Sequence, residues 1–318
     1  DRTTVRSFRA GWLSYPTRNS QYRRARAVPS SRPSCFGHIQ ACEDIPVQRA
    51  VTASIDLTLA GSIDLIFSFA VAQGTPLASE RLSIMQGGRE RTAVELVDQH
   101  GGRIHRLTGE PGVLELRYEA VVVGQAMPQK PSPLDTITAL RPSRYAQSDE
   151  LFGEARRRFS GLRGHDLLGA VTRFVEDAVV YSPGLSKVTD SAVTTLATGK
   201  GVCRDYAHLV IALLRAMDMP ARYVSVYAPG LRPMDFHAVA EAYIDGAWFV
   251  VDATRLANRH SLVRIGTGRD AADVAFLSYY GGNITLDRLR VDARVHETTA
   301  LDSAVPEADD FEAPVQLA

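Results

Sequence analysis

Residues 199–227 read GKGVCRDYAHLVIALLRAMDMPARYVSVY and join a cysteine, a helix and a strand in one short stretch. Apolar side chains recur every three or four residues from Cys203 to Met217, which predicts an amphipathic helix, and Ala221–Ala228 follows as a predicted strand. Further elements flank this stretch: predicted helices at 149–159 and 166–180, a short helix capped by Asp190, and predicted strands at 236–244, 248–253 and 284–295. This mixture of elements predicts an α+β second half.

The first half of the chain has the period of β-strands. Apolar and polar residues alternate strictly from Val51 to Leu59 and again from Ile63 to Val71, as in half-buried strands. Similar short segments follow near 80–85, 91–97, 103–108 and 113–123, separated by Gly-Gly or Gly-Pro turns. Six short strands at this spacing predict an antiparallel β-sandwich, with a barrel as the alternative.

Composition shifts suggest where the parts of the chain begin and end. The start is rich in Arg and Ser, has one acid within residues 1–41, and lacks any period, so we expect it to be disordered. A Pro-rich passage ends the strand pattern at Met127–Pro133, and acidic residues without Lys or Arg follow Arg294. The predicted organisation is an Arg-rich leader (1–48), a β-domain (49–125), a linker (126–142), a catalytic core (143–297) and a solvated acidic tail (298–318).

Charge and hydropathy exclude two classes of function. The 318 residues contain 36 Lys+Arg and 36 Asp+Glu, so no excess positive charge indicates binding to nucleic acid. The longest aliphatic run, Leu209–Leu214, is too short to cross a membrane. Three well-separated cysteines do not form the disulfide framework of a small secreted domain, so we expect a reducing, cytoplasmic location.

Cys203 has the local context of a nucleophile. Gly199 and Gly201 allow a tight turn directly before it, and the unpaired N–H groups of the first helical turn favour a thiolate. A free cysteine is also commonly a small buried hydrophobe, which remains the alternative from this context alone.

A predicted β-hairpin brings a histidine and an aspartate together. Asp245-Gly246 between two alternating runs is a strong signal for a two-residue loop. In the resulting register Glu241 pairs with Val250, and His237 lies one diagonal step from Asp252 on the same face. Asp252 can then accept a hydrogen bond from the imidazole and fix its orientation. The opposite face is apolar, so we expect one face to pack and the other to be free for chemistry.

Other possible ligands and bases are weaker candidates. His208 lies five positions after Cys203, about 140° round the helix axis, so we expect it to be a packed or surface residue. Cys35, His38 and Cys42 are possible zinc ligands, but a closed site needs a fourth ligand and none lies nearby. We therefore expect no metal there.

Three segments together resemble the bacterial branch of the transglutaminase-like superfamily. They are residues 199–227, residues 235–257 (DFHAVAEAYIDGAWFVVDATRLA) and residues 265–276 (IGTGRDAADVAF). The similarity runs from Ser143 to Gly282, and 51–123 resembles the β-domain that precedes the core in that branch. This resemblance implies a papain-like α+β core with Cys203 as nucleophile, His237 as general base and acid, and Asp252 as its orienter. Five further residues match the family pattern and are expected to give structural support: Arg204, Tyr206, Arg269, Asp270 and Asp273.

The resemblance also leaves gaps. The sequence has no acidic cluster like the calcium sites of animal crosslinking enzymes and no paired CxxC zinc motif, so we expect neither metal nor cofactor. The backbone N–H of Cys203 can serve as one oxyanion donor, but no glutamine lies between Gln147 and Cys203 to serve as a second.

The expected activity is cysteine-dependent hydrolysis or acyl transfer at amide bonds of a peptide or protein. A protease or amidase is favoured over a crosslinking transglutaminase, because proteolytic members are prevalent in the resembling branch. An arylamine N-acetyltransferase is a weaker option, since no coenzyme A site is recognisable. The alternative from another class is a catalytically inactive interaction module. Substrate identity and oligomeric state stay open.

Overall fold

The computed structural model describes residues 47–128, 131–296 and 309–317. Its strands are β1 (Gln48–Leu59), β2 (Ile63–Phe67), β3 (Leu77–Gln86), β4 (Arg89–Arg91), β5 (Val94–Val97), β6 (Arg103–Gly109), β7 (Gly112–Val123), β8 (Val180–Tyr181), β9 (Lys200–Gly201), β10 (Ala221–Tyr227), β11 (His237–Ile244), β12 (Ala247–Val251), β13 (Val263–Gly268), β14 (Leu277–Tyr280) and β15 (Ile284–His296). Its helices are α1 (Pro133–Thr138), α2 (Phe152–Phe159), α3 (Gly164–Ala178), α4 (Ala192–Thr198) and α5 (Cys203–Ala216), with a 3₁₀ turn at Arg259–Ser261.

The first half forms the predicted antiparallel β-sandwich. One sheet has the order β15-β1-β7-β3-β4 and the other has the order β14-β2-β6-β5. The alternation in the sequence explains their packing, since every second residue of β1 from Val51 to Leu59 is buried between the sheets.

Two strands of this sandwich come from the second half of the chain. The strand predicted at 284–295 forms as β15, but it pairs with β1, and β14 pairs with β2. Residues of β10 and β13, together with Phe236 just before β11, also extend the sandwich core, and the Tyr227 hydroxyl donates a hydrogen bond to the Phe69 carbonyl at 2.8 Å. The two halves therefore share one hydrophobic core, which sequence periodicity alone does not reveal.

The second half contains the expected α+β unit. An antiparallel sheet of order β12-β11-β10-β13 packs one face against α5, the helix that begins at Cys203. The two-residue loop forms at Asp245-Gly246, both with positive φ, and Glu241 pairs with Val250 as predicted.

The other face of this sheet is not open, contrary to expectation. It forms a third apolar cluster with residues 309–317, the described part of the predicted acidic tail. Val315 and Leu317 are buried there, and the Val250 N–H donates to the Val315 carbonyl at 2.8 Å. The expectation of a solvated tail is wrong for Val315 and Leu317, whose apolar side chains cover the sheet, whereas Asp310 and Glu312 are exposed. We call residues 309–317 the C-terminal strap.

Two smaller expectations also differ. The predicted linker contains α1, whose capping box joins Ser132 and Asp135. The N-cap of α4 is Ser191 and not Asp190, whose carboxylate instead accepts a hydrogen bond from the Lys187 N–H. No helix in the described part of the chain is long and apolar enough to span a membrane.

Candidate active site

The turn that precedes α5 places Cys203 at the first position of the helix. Helix α4 ends at Gly199, which has the left-handed φ of 62° that favours glycine. Gly201 is required for a different reason: a Cβ there would lie 2.7 Å from Cβ of Asp205. Asp205 in turn accepts a hydrogen bond from the Val202 N–H at 2.9 Å and so caps α5. The close approach at Gly201 is thus made by the capping aspartate.

His237 and Asp252 form a buried hydrogen-bonded pair. The distance from His237 Nε2 to Asp252 Oδ2 is 2.8 Å, and both side chains are almost completely buried. The other carboxylate oxygen accepts from the Thr254 N–H at 2.9 Å and the Thr254 hydroxyl at 2.6 Å. The predicted hairpin register therefore brings the two residues together, and Thr254 orients the carboxylate. Sequence reasoning missed Thr254, although a threonine two residues after an aspartate is a common turn partner.

The second ring nitrogen of His237 is left for the cysteine. Nδ1 is buried and makes no hydrogen bond of ordinary geometry within the described residues. Burial opposes charging of the ring, but the charge and hydrogen bond of Asp252, together with the nearby Cys203 thiol, outweigh it and raise the pKa of His237. The ring is therefore held in its protonated form next to Cys203.

The β-sandwich anchors the strand that carries the histidine. Phe236, the residue before His237, is buried in the sandwich core. Its ring centroid lies 5.5 Å from that of Tyr227 and 5.6 Å from that of Phe276. The first half of the chain thus helps to fix the position of His237.

Asp235 interacts electrostatically with His237. Burial raises the pKa of Asp235 to about 6, although the Phe236 N–H donates to its carboxylate at 2.8 Å and His237 lies nearby. Sequence reasoning did not select Asp235, since an aspartate at the start of a strand is an ordinary turn residue.

His208 is a packed residue, as expected. Its ring stacks on Tyr145 at 5.3 Å, and its Nε2 accepts a hydrogen bond from the Ala271 N–H at 3.1 Å. Burial lowers the pKa of His208 well below its ordinary value, so the ring is neutral.

The five residues expected to give structural support form hydrogen bonds and ion pairs with neighbouring backbone and side-chain groups. Arg204 binds the Asp205 carboxylate at 2.8 Å and the Lys187 carbonyl at 2.7 Å, and the Tyr206 hydroxyl donates to the Val179 carbonyl. The remaining contacts lie at the end of β13: Asp270 accepts from the Tyr145 N–H at 2.8 Å, and Arg269 pairs with Asp273 at 2.9 Å.

The described ranges that bear on metal binding are residues 47–128, 131–296 and 309–317. These ranges contain no group of three or more His, Cys, Asp or Glu side chains arranged to hold an ion. The weak zinc candidate of Cys35, His38 and Cys42 lies outside the described residues.

Comparison with known proteins identifies the family. The model of the transglutaminase-like superfamily matches residues 164–253, a range that includes Cys203, His237 and Asp252. The structure of a candidate cysteine protease from Cytophaga hutchinsonii is 32% identical, with a TM-score of 0.72 over 80% of this chain and 92% of that one. The chain therefore belongs to the transglutaminase-like superfamily, with the α+β fold that the sequence predicts.

Two further proteins match this chain to a more limited extent. The uncharacterized protein ML0607 of Mycobacterium leprae is 32% identical over 127 residues, which cover 37% of this chain and 46% of that protein. This chain thus matches less than half the length of that curated relative. The periplasmic domain of TgpA from Pseudomonas aeruginosa is 20% identical with a TM-score of 0.38, over 69% of this chain and 93% of that one.

Proposed function

We propose that the protein is a cysteine hydrolase that cleaves amide bonds of peptides or proteins through Cys203, His237 and Asp252. The observation that carries this proposal is the buried 2.8 Å hydrogen bond between His237 and Asp252, which leaves Nδ1 available to a cysteine at a helix N-terminus. A nucleophile, a base and a group that orients the base are what acyl transfer requires.

Each residue has a definite task in the proposed reaction. Sγ of Cys203 attacks the substrate carbonyl while its proton is held on His237, and the C=O electron pair moves onto oxygen. When this pair returns, the C–N bond breaks and the imidazolium gives its proton to the leaving amine. His237 then takes a proton from water, whose oxygen attacks the thioester carbonyl. When the resulting tetrahedral intermediate collapses, the C–S bond breaks, the acid leaves and Cys203 is again a thiolate beside the protonated His237. Asp252 holds the ring by Nε2 throughout, so that Nδ1 handles both protons.

Water is the acceptor that we favour over an amine. The similar protein from Cytophaga hutchinsonii is a candidate cysteine protease, and this chain covers 92% of its length. The three chemical residues do not by themselves choose the acceptor, because pocket shape and water access decide it.

The first test is the pH dependence of Cys203 alkylation by iodoacetamide, followed by mass spectrometry. In the wild type we expect Cys203 to be alkylated rapidly at pH values well below about 8.5, where an ordinary thiol is protonated. In His237→Ala we expect this reactivity to be lost. His165→Ala is the matched control, because His165 is exposed and packs against Phe249 outside the His237–Asp252 pair. If Cys203 reacts no faster than Cys35 and Cys42, the catalytic proposal is wrong and an inactive interaction module becomes the better hypothesis.

A second test separates hydrolysis from transamidation. Fluorescent casein is incubated with wild type and Cys203→Ser, with and without dansylcadaverine as an amine acceptor. Peptide fragments that require Cys203 support hydrolysis, whereas dansyl-labelled intact casein would assign the protein to the transamidating enzymes.

A further inference from the structure

The C-terminal strap is hydrogen-bonded to the strand that leads to Asp252. This strand, β12, is an outer strand of its sheet, and Asp252 follows its last residue directly. The Val250 N–H donates to the Val315 carbonyl at 2.8 Å, and the Val250 carbonyl accepts from Arg259 Nη1 at 3.3 Å. The strap and Arg259 therefore hold the backbone two residues before the candidate catalytic aspartate.

Arg259 fastens the strap to the sheet. Its guanidinium is buried and binds the Asp309 carboxylate at two points, with Nε at 3.0 Å and Nη2 at 2.9 Å. The same Nη2 donates to the carbonyls of Asp310 at 2.7 Å and Ala313 at 3.1 Å. A buried guanidinium that binds a carboxylate at two points fixes geometry as well as supplying energy. The strap thus has one defined position on the sheet.

A second contact of the strap reaches the turn that orients Asp252. The Arg255 N–H donates to the Asp252 carbonyl at 3.2 Å, directly after Thr254, which binds the carboxylate. Arg255 has a left-handed φ of 52°, so other contacts must hold it in this conformation. Its guanidinium lies 2.8 Å from Glu176 of α3 and 3.4 Å from Glu312 of the strap. The strap therefore supports the turn on its outer side.

The strap also closes a cavity behind the aspartate. A cavity of about 210 Å³ lies between α3, β12 and the strap, with residues 311–314 in one wall and Asp252 in another. The Asp252 side chain is only 1% exposed in this arrangement. Loss of the strap opens the cavity to water on the side of Asp252. Water beside the carboxylate weakens its interaction with His237, since Coulomb energy falls as the dielectric constant rises.

We propose that the C-terminal strap is a positioning element of the candidate active site, which fixes the turn after β12 and keeps water away from Asp252. This inference rests on the proposed function, in which Asp252 holds the base. The strap acts through Asp252 and takes no part in bond making. The charged partners that raise the pKa of His237 are Asp252 and Cys203, neither of which belongs to the strap. A change at His237 after removal of the strap therefore reports on Asp252.

The test is an NMR titration of His237 in a variant that ends at residue 308. The protein is labelled with ¹⁵N-histidine, and the His237 signals are assigned with His237→Ala. Asp252 raises the pKa of His237 against the effect of burial, so we expect the truncated variant to show a pKa about one unit below that of the wild type. An unchanged pKa of His237 in a truncated variant that melts cooperatively would overturn the inference.

Two substitutions keep the test decisive if the truncated variant does not fold. Asp309→Ala removes only the carboxylate that Arg259 binds, and we expect it to lower the pKa of His237 in the same direction. Leu107→Ala is the control for a general loss of stability, because Leu107 is buried in the sandwich core, away from the strap. If the control lowers the pKa as much as Asp309→Ala does, the strap has no specific role.

Alkylation of Cys203 by iodoacetamide separates this inference from the proposed function. Rapid alkylation of the wild type together with an unchanged His237 pKa after truncation overturns the inference alone. If wild-type Cys203 shows no rapid alkylation, the proposed function fails. The strap then supports a His237–Asp252 pair that has no catalytic task, and the inference falls with the function.

Discussion

Replacement of Glu241 by glutamine tests how strongly a buried ion cluster stabilises the sheet behind the candidate active site. The Glu241 carboxylate is fully buried and lies between two guanidinium groups, with contacts of 2.7 Å to Arg222 and 2.6 Å to Arg264. Glu241→Gln keeps the shape but removes the charge, and its amide N–H₂ faces groups that can only donate. Two buried cations are then left without their counterion.

Two independent estimates give the stability that Glu241→Gln is expected to lose. Burial raises the pKa of Glu241, but Arg222 and Arg264 together outweigh it and lower the value from 4.5 to about 2. At about 1.4 kcal/mol per pH unit, this difference contributes roughly 3 kcal/mol to the free energy of unfolding. Removing one partner from a buried ion pair costs about 3–5 kcal/mol, which agrees. Because the folded pKa is depressed, this stability is present above pH 4.5 and is lost as the pH falls towards 2.

Urea denaturation at pH 7 and pH 3 measures this contribution. We expect Glu241→Gln to lower the free energy of unfolding by about 3 kcal/mol at pH 7 and by less at pH 3, where the wild type has begun to lose it. Asp64→Asn is the control, because Asp64 pairs with Arg106 at the surface, where the arginine side chain is 60% exposed and water can replace the lost charge. A loss at pH 7 no larger than that of the control, or an equal loss at both pH values, would refute the reasoning.

Three further substitutions test the site and its support. Asp252→Asn should slow Cys203 alkylation by iodoacetamide at pH 7 on the order of 100-fold. Without the aspartate charge, burial dominates and lowers the pKa of His237, and an unchanged pH profile would contradict this. Gly201→Ala should cost roughly 1–3 kcal/mol in urea denaturation and slow alkylation, since its Cβ would meet that of Asp205 at 2.7 Å, and wild-type values would show that the turn can relax. Leu317→Ala should cost about 2 kcal/mol if the C-terminal strap packs on the sheet, and an unchanged melting temperature would mean that it does not.

Local signals predicted the part of the site that the hairpin builds. The Asp245-Gly246 loop sets the pairing of β11 with β12, and this register brings His237 close to Asp252, whose carboxylate Thr254 then orients. The helix that begins at Cys203 follows from its own apolar period. These features depend on residues close together in the chain, and such short-range rules are the ones that a single sequence reveals.

Other parts of the structure depend on long-range pairing that periodicity does not show. The bridge between β8 and β9, which pairs Tyr181 with Gly201 just before α5, has two residues per strand, too few to produce a pattern. The strap contains Val315 and Leu317 in an acidic context, where composition indicated solvent. A strand was predicted at 284–295 and forms as β15, but its partner β1 could not be predicted, because a local pattern identifies a strand and not its neighbour.

The pairing of β1 with β15 has a consequence for synthesis on the ribosome. Gln48 pairs with His296, so β1 lacks this neighbour until the whole candidate catalytic segment has been translated. Until then the long edge of β1 displays unpaired N–H and C=O groups, a template for association with other nascent chains. Strand β2 likewise lacks its partner β14 until that strand has been translated. The sandwich is therefore completed only after the segment that carries Cys203, His237 and Asp252 has been translated.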